Sequence, residues 1–307
     1  MAKVLIGIVS YYPKDIDRRG YRVKEHQAQM KWIEENVPAT DILIVSQGYS
    51  QEDFIYSDKH NVRYIDFPEP CGVAQARNIL LKEFYASEYD YIALCDDDCT
   101  LYDRFSPKKF LEDIFGNPEK FFSYDAFCPL NPRFAPYKEQ VACDNRNNTH
   151  YKFTRAGRNW LHWFFLKNLK KYHDKEIYID DKIDPSRGEG YEDLIFCLDL
   201  IVAGMVYGEL QTVLLDTKNI DAIKSTIFES NSKREEFHKK SMHAVNARFR
   251  QYGLKMTPAG RWDSSEFQKY NMTPKVGYIP RSQSIDIFEA LGEEFAKLYK
   301  SNKRKLF

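Results

Sequence analysis

No run of apolar residues in this sequence is long enough to cross a bilayer. The opening stretch KVLIGIVSYY is too short for a span, and charge resumes at Lys14 and Asp15 with no small-residue cleavage site before it. Neither a transmembrane segment nor a secretory leader is expected, and a cytoplasmic protein is the reading that follows. Paired cysteines are missing as well. Six cysteines, at positions 71, 95, 99, 128, 143 and 197, are scattered through mostly apolar stretches without C-x-x-C spacing. That argues against a structural zinc site and for reduced, buried thiols. There is no internal repeat, no low-complexity tract and no glycine-rich phosphate loop. Net charge is zero, with 45 basic and 45 acidic residues in 307.

That balance is uneven along the chain. Residues 218–307 hold 18 Lys and Arg against 10 Asp and Glu, whereas residues 1–217 hold 27 against 35. The C-terminal part is the basic end. At 43% hydrophobic and 15% aromatic residues, the chain can bury a full core. The division expected is a catalytic α/β domain over residues 1–217 and a basic, helical extension over 218–307.

Strand and helix signals alternate through the first hundred residues. KVLIGIVSYY, DILIVSQG, VRYIDFP and DYIALCDD read as strands, and YRVKEHQAQMKWIEENV and VAQARNILLKEFYA as helices. This is the pattern of a mostly parallel sheet, in which ligands sit beyond the carboxyl ends of the strands. SPKKFLEDIF predicts a short helix opened by Ser106 and Pro107. Residues 129 to 160 lack a period and read as irregular surface. NWLHWFFLKNLKKY, residues 159 to 172, fits a helix or a strand equally well. GELQTVLLD reads as a strand, and residues 229 to 253 as a charged helical stretch.

Two acidic clusters stand out of this frame. Asp96, Asp97 and Asp98 follow a buried strand in succession, where each disfavours the ionised form of the others unless solvent, donors or a cation neutralise them. Further on, Gly188 and Gly190 free the backbone before Glu192 and Asp193, which open a helix closed by Gly204. The helix macrodipole favours charge at those two acids.

The triplet admits several chemistries. A calcium loop of the EF-hand kind needs an oxygen ligand and then glycine where Thr100 and Leu101 stand. Zinc through Cys95 and Cys99 lacks a second ligand pair. Asp96-x-Asp98-x-Thr100-Leu101 after an apolar strand matches the nucleophile motif of haloacid dehalogenase phosphatases, though three βα units precede it here. A solvated acidic strand end is the plainest alternative.

Taken together, CGVAQARNILLKEF, YDYIALCDDDCTLYD and GEGYEDLIFCLDLIVAG resemble the GT-A fold glycosyltransferases that use nucleotide-sugar donors. In that family a G-x-x-x-A-R-N helix start, a strand-end DxD and a glycine-preceded ED helix occur in this order. The resemblance spans about residues 3 to 215. It implies a GT-A type, Rossmann-like sheet, a UDP-sugar as the favoured donor and Mn2+ or Mg2+ as cofactor. Asp98 is implied as a direct metal ligand, Asp96 as a contact to the ribose or to the metal through water, and Asp97 as the residue between them. Asp193 corresponds to the general base of inverting members, and Glu192 to a residue positioning substrate or bracing a loop.

Other roles follow from placement. Ser10 and Tyr11 close the first strand, with Tyr11 or Tyr12 available to stack on the base or to cover the core. Arg77 and Asn78 offer donors to the diphosphate or to the acidic loop. His238 and His243 are the candidates for the histidine that many members add to the metal, although they lie late and five residues apart. For the acceptor, Lys and Arg of the C-terminal part, Arg248 and Arg250 among them, interleave with Tyr252, Trp262, Phe267 and Tyr270 as phosphate contacts and stacking groups would. The general character also resembles bacteriophage enzymes that glycosylate hydroxymethylated bases, so duplex DNA is one acceptor considered, in a host cytoplasm. A saccharide or lipid-linked acceptor is the alternative. The rival functions are a phosphatase and a non-catalytic nucleic-acid-binding protein.

Overall fold

The structure, a computed structural model, describes residues 3–101, 107–130, 153–155, 161–182, 192–217 and 248. Its first part is the expected alternation. Strand β1 (Val4–Tyr11) leads through helix α1 (Ile16–Asn36) to β2 (Asp41–Gln47), then to β3 (Asn61–Phe67), helix α2 (Val73–Tyr85) and β4 (Tyr91–Asp96). These four strands are mutually parallel in the order β3-β2-β1-β4. Every residue from 4 to 10 in β1 is buried, as a strand covered on both faces must be.

The second part is β5 (Cys99–Leu101), α3 (Lys108–Gly116), β6 (Ala126–Leu130), β7 (Phe153–Arg155), β8 (Phe164–Lys167), α4 (Leu169–His173), α5 (Glu192–Val202) and β9 (Tyr207–Thr217). The full order is β3-β2-β1-β4-β8-β6-β9-β5, with β7 also on β9. β8 runs antiparallel to both β4 and β6, and β6 is parallel to β9, so six strands share one direction.

Period-two alternation along β1 splits the core between the two faces. Leu5 and Val9 pack with Leu80, Leu81 and Phe84 of α2 and with Ile195 and Phe196 of α5. Val4, Ile6 and Ile8 pack with Met30, Trp32 and Ile33 of α1 and with Phe110, Leu111 and Ile114 of α3. Helices thus cover both sides of a mostly parallel sheet.

Three local outcomes differ from the sequence reading. The ambiguous segment over 159 to 172 holds both a strand and a helix. β8 ends at Lys167, and Asn168 caps α4 by accepting from the Lys171 amide at 3.1 Å. The stretch read as irregular surface contains the ends of β6 and all of β7, which pair with β9. A third strand, β5, follows the acidic triplet and pairs antiparallel with β9. The helical stretch over 229 to 253 lies outside the described residues apart from Arg248. That side chain forms an ion pair with Asp180 and approaches Asp199 Oδ2 at 3.9 Å, with 22% of it exposed. It is held against the α/β part of the chain.

Candidate active site

The parallel strands change direction of growth between β1 and β4, since β2 and β3 add on one side of β1 and β4 on the other. A crevice opens at such a switch point beyond the carboxyl ends. The register pairs Val9 with Asp96, which sets Ser10 and Tyr11 beside the acidic triplet. Asp96 ends β4, and Asp97 and Asp98 make the turn into β5.

The turn is fixed from below. The Gln29 amide of α1 donates to the carbonyls of Asp96 and Cys99, the latter at 2.8 Å, and Trp163 Nε1 donates to Cys99 O at 3.0 Å. Asp97 points inward, where its Oδ2 accepts from the Ser10 hydroxyl and, at 3.4 Å, from the Tyr11 amide. Arg22 of α1 spans the turn. One guanidinium nitrogen bonds Asp97 Oδ1, and the other lies 3.0 Å from Asp98 Oδ2. Asp98 Oδ1 also accepts from Cys99 Sγ at 3.2 Å.

Asp96 has its own cations. Arg77 Nη2 lies 2.8 Å from Oδ1, and His162 Nδ1 lies 2.8 Å from Oδ2. Burial alone would raise this carboxyl, but Arg77 and His162 outweigh it and hold Asp96 well below the usual carboxylate range. His162 responds in kind: burial opposes its charge, yet Asp96 lifts it above the ordinary imidazole value. The repulsion within the triplet is therefore relieved by the chain's own Arg22, Arg77 and His162. Of the neutralisers the sequence left open, donors within the chain supply this relief.

Arg77 reaches the site because Gly72, at φ +91°, turns the chain into α2, while Gln47 Oε1 holds that turn by accepting from the amides of Cys71 at 2.9 Å and Gly72 at 3.1 Å. Its other nitrogen, Nη1, lies 3.0 Å from Glu192 Oε1 at the start of α5. Burial and the neighbouring Asp193 carboxylate push Glu192 up to about 7, with Arg77 pulling the other way. Asp193 shares that first turn and is half-buried. Its charge is felt at both Arg77 and Glu192.

Ser10, Tyr11, Arg77, Asp96, Asp97, Asp98, Glu192 and Asp193 are thus gathered at one place. Asn78 is not among them: its amide exchanges hydrogen bonds of 2.7 and 2.8 Å with the backbone of Ile179, so it braces the segment leading towards α5. Tyr12 is core, stacked on Tyr49 with ring centroids 3.7 Å apart. His238 and His243 lie outside the described residues. Asp96, the nucleophile of the phosphatase alternative, has both carboxylate oxygens engaged by cations.

Arg22, Gln29, His26 and His162 were not singled out from sequence. The first three share one stripe of α1, at i, i+7 and i+4, and a polar stripe on the buried side of a helix is the signal that could have found them. His162, in an aromatic run without clear period, offered none.

His26 is fully buried behind the triplet. Its Nδ1 lies 2.7 Å from Tyr49 Oη and 3.0 Å from Tyr12 Oη, and Tyr49 also bonds the Ser10 hydroxyl that serves Asp97. Burial, reinforced by Arg22, lowers His26 from 6.5 to about 3. The folded state then binds fewer protons than the unfolded chain between those values, so stability is lost as pH falls from about 6.5 towards 3. His26→Gln is expected to remove about 3 kcal/mol of the decline in unfolding free energy between pH 7 and pH 4. Urea titrations at the two pH values measure it, and equal declines in both proteins would contradict a buried neutral imidazole.

Among the described residues, no three His, Cys, Asp or Glu side chains are already grouped as a metal site. The donor chemistry nonetheless fits Mg2+ or Mn2+, which bind through one or two carboxylates plus substrate phosphates and do not need an all-protein cage. Asp96 and Asp98 supply hard oxygens at the end of β4 and in the turn that follows it.

The sequence matches no protein-family model and no curated protein. Solved structures do resemble the fold. S. aureus TarS, residues 1–349 in complex with UDP-GlcNAc, superposes with a TM-score of 0.52 at 13% identity, over 80% of this chain and 66% of that one. GalNAc-T7 with UDP, GalNAc and Mn2+ matches more loosely, with a TM-score of 0.45 at 10% identity, over 98% of this chain and 54% of that one. The chain thus spans just under two thirds of the TarS fragment. What the likeness to TarS establishes is architecture: this protein has the mostly parallel α/β sheet of the GT-A glycosyltransferase fold.

Proposed function

We propose that the protein transfers a sugar from a nucleoside diphosphate donor, a UDP-sugar, to a hydroxyl acceptor, with inversion and with the help of a divalent cation. The observation that carries this reading is the buried Arg77 bridge. It ties Asp96 at the donor end of β4 to Glu192 beside Asp193, so that a strand-end carboxylate cluster and an acidic helix start face one crevice. Tyr11 is left as the aromatic for the base, because Tyr12 is packed on Tyr49.

In this reading Asp193 accepts the proton of the acceptor hydroxyl as its oxygen forms the new bond to the anomeric carbon. The bond from that carbon to the diphosphate breaks, and its electron pair passes to the phosphate oxygen. Asp98 would hold the cation directly and Asp96, whose oxygens Arg77 and His162 engage, would reach it through water; the cation would supply positive charge to the departing diphosphate. Arg77 keeps the two acidic groups in register, and Glu192 orients the acceptor beside Asp193. The third ligand, sought at His238 or His243, rests on the sequence resemblance alone.

Release of UDP from a UDP-sugar in the presence of Mn2+, with none of the phosphate release from simple monoesters that a phosphatase would give, is the expected activity. Asp98→Asn is expected to weaken UDP binding in the presence of Mn2+ by at least about tenfold, since even residues that only orient ligands cost that much. Calorimetry measures it, and unchanged affinity would remove Asp98 from the metal. Duplex DNA as acceptor rests on the charge of residues 218–307 alone.

A further inference from the structure

Arg22 is a largely covered cation on the residue proposed to hold the metal. Its side chain is 11% exposed, against 0% for Asp97 and 8% for Asp98, and its fork divides between the two carboxylates. The two ends of that fork differ in kind. Asp97 is tied on its other oxygen to Ser10 and Tyr11, deep in the strand ends, and belongs to the framework. Asp98 accepts on its other oxygen from the weakly donating Cys99 thiol, and the oxygen it gives Arg22, Oδ2, is one that a hard cation would take.

A guanidinium and a divalent ion held against one carboxylate oxygen repel each other, so each weakens the other's hold there. We propose that Arg22 is the resident counter-cation of Asp98, exchanged for the divalent ion when the nucleoside diphosphate binds, with the released nitrogen turning to a phosphate oxygen while its partner stays on Asp97. The proposal rests on the glycosyltransferase reading and goes beyond it by naming a residue that sets the order of binding. Metal alone must displace a buried, charge-assisted bond and leave the Arg22 nitrogen without an acceptor. Metal and diphosphate together offer that nitrogen a new one. Arg22 therefore couples the two ligands, so that each raises the affinity for the other by the same factor.

Calorimetry of MnCl2 into the full chain, without nucleotide and then with saturating UDP, tests the coupling. In the wild type, UDP is expected to raise Mn2+ affinity at least about fivefold. In Arg22→Gln, Mn2+ alone is expected to bind about fivefold or more tighter than to the wild type, with the enhancement by UDP correspondingly reduced. Arg22→Lys keeps the charge but loses the fork, and is expected to lie between the two. It carries the test should the glutamine variant fail to fold, as judged by circular dichroism. If both folded variants bind Mn2+ alone no tighter than the wild type, while UDP and Mn2+ still bind together, the role of Arg22 is overturned and the glycosyltransferase reading stands. If the wild type binds no UDP with Mn2+ present, that reading falls, and this proposal with it.

Discussion

Asp193→Asn is expected to leave UDP binding in the presence of Mn2+ unchanged while lowering sugar transfer by about 10²- to 10⁴-fold, the range that a positioned proton acceptor contributes. The separation follows from placement. Asp193 stands in the first turn of α5, whereas the groups proposed to hold the donor stand at the ends of β1 and β4. An amide is nearly isosteric with the carboxylate and keeps its accepting oxygen, so the helix start should persist. What it cannot do is take a proton. A variant with normal KM for the donor and low kcat is the result that assigns the base, because an interaction made only in the transition state is then the one removed. Wild-type turnover would exclude Asp193 from the mechanism. A parallel loss of UDP affinity would move it to the donor side.

The second large effect is structural. Arg77→Met removes the cation between Asp96 and Glu192 and is expected to cost about 3–5 kcal/mol of unfolding free energy at neutral pH, as breaking a buried pair from one side does. The deficit has a pH signature. Without Arg77 Asp96 loses its largest downward pull and Glu192, already raised, is driven further upward, so the folded variant retains a proton on Glu192 that its unfolded chain has released. Stability then falls as pH rises past the ordinary carboxylate range, and the gap to the wild type is smaller at pH 5 than at pH 8. Denaturant titrations at both pH values measure it. Adding Glu192→Gln should recover part of the loss, since one of the two stranded charges is gone. A deficit that is small and independent of pH would show that the bridge is not a buried ion pair.

Much of this was legible in the sequence because it is local. Strands β1, β2 and β4 are largely continuous apolar runs, β3 alternates, and the helices between them carry a 3.6 period. The DDD and ED clusters announce themselves by acids placed where charge is costly, and Arg77 follows from Gly72 by spacing along one helix start. The rest depends on which side chains meet across the fold. Arg22 lies 75 residues from Asp97, and His162 lies 66 from Asp96; no periodicity reports such a meeting. Polar residues at 22, 26 and 29 on the inner stripe of α1 look, in isolation, like a weak amphipathic helix. Only the structure shows that their polar surroundings are the acidic turn and the strand end beside it. The segment over 159 to 172 was ambiguous for a different reason: Asn168 divides it, and a window that averages across a cap sees neither the strand nor the helix.

The antiparallel strand β8 has a consequence for how the chain is made. β4 leaves the ribosome as the last of four parallel strands, but its outer neighbour is β8, some 70 residues later, and β6 reaches the sheet only through β8. Until residue 167 has emerged, the apolar strand Tyr91–Asp96 presents an unpaired edge, the kind of surface that recruits a second nascent copy. Asp96 at the end of that strand already carries charge and lies against Arg77 from the same early segment. Asp96 and Arg77 thus mark the growing edge with charge before the strand that will cover it exists.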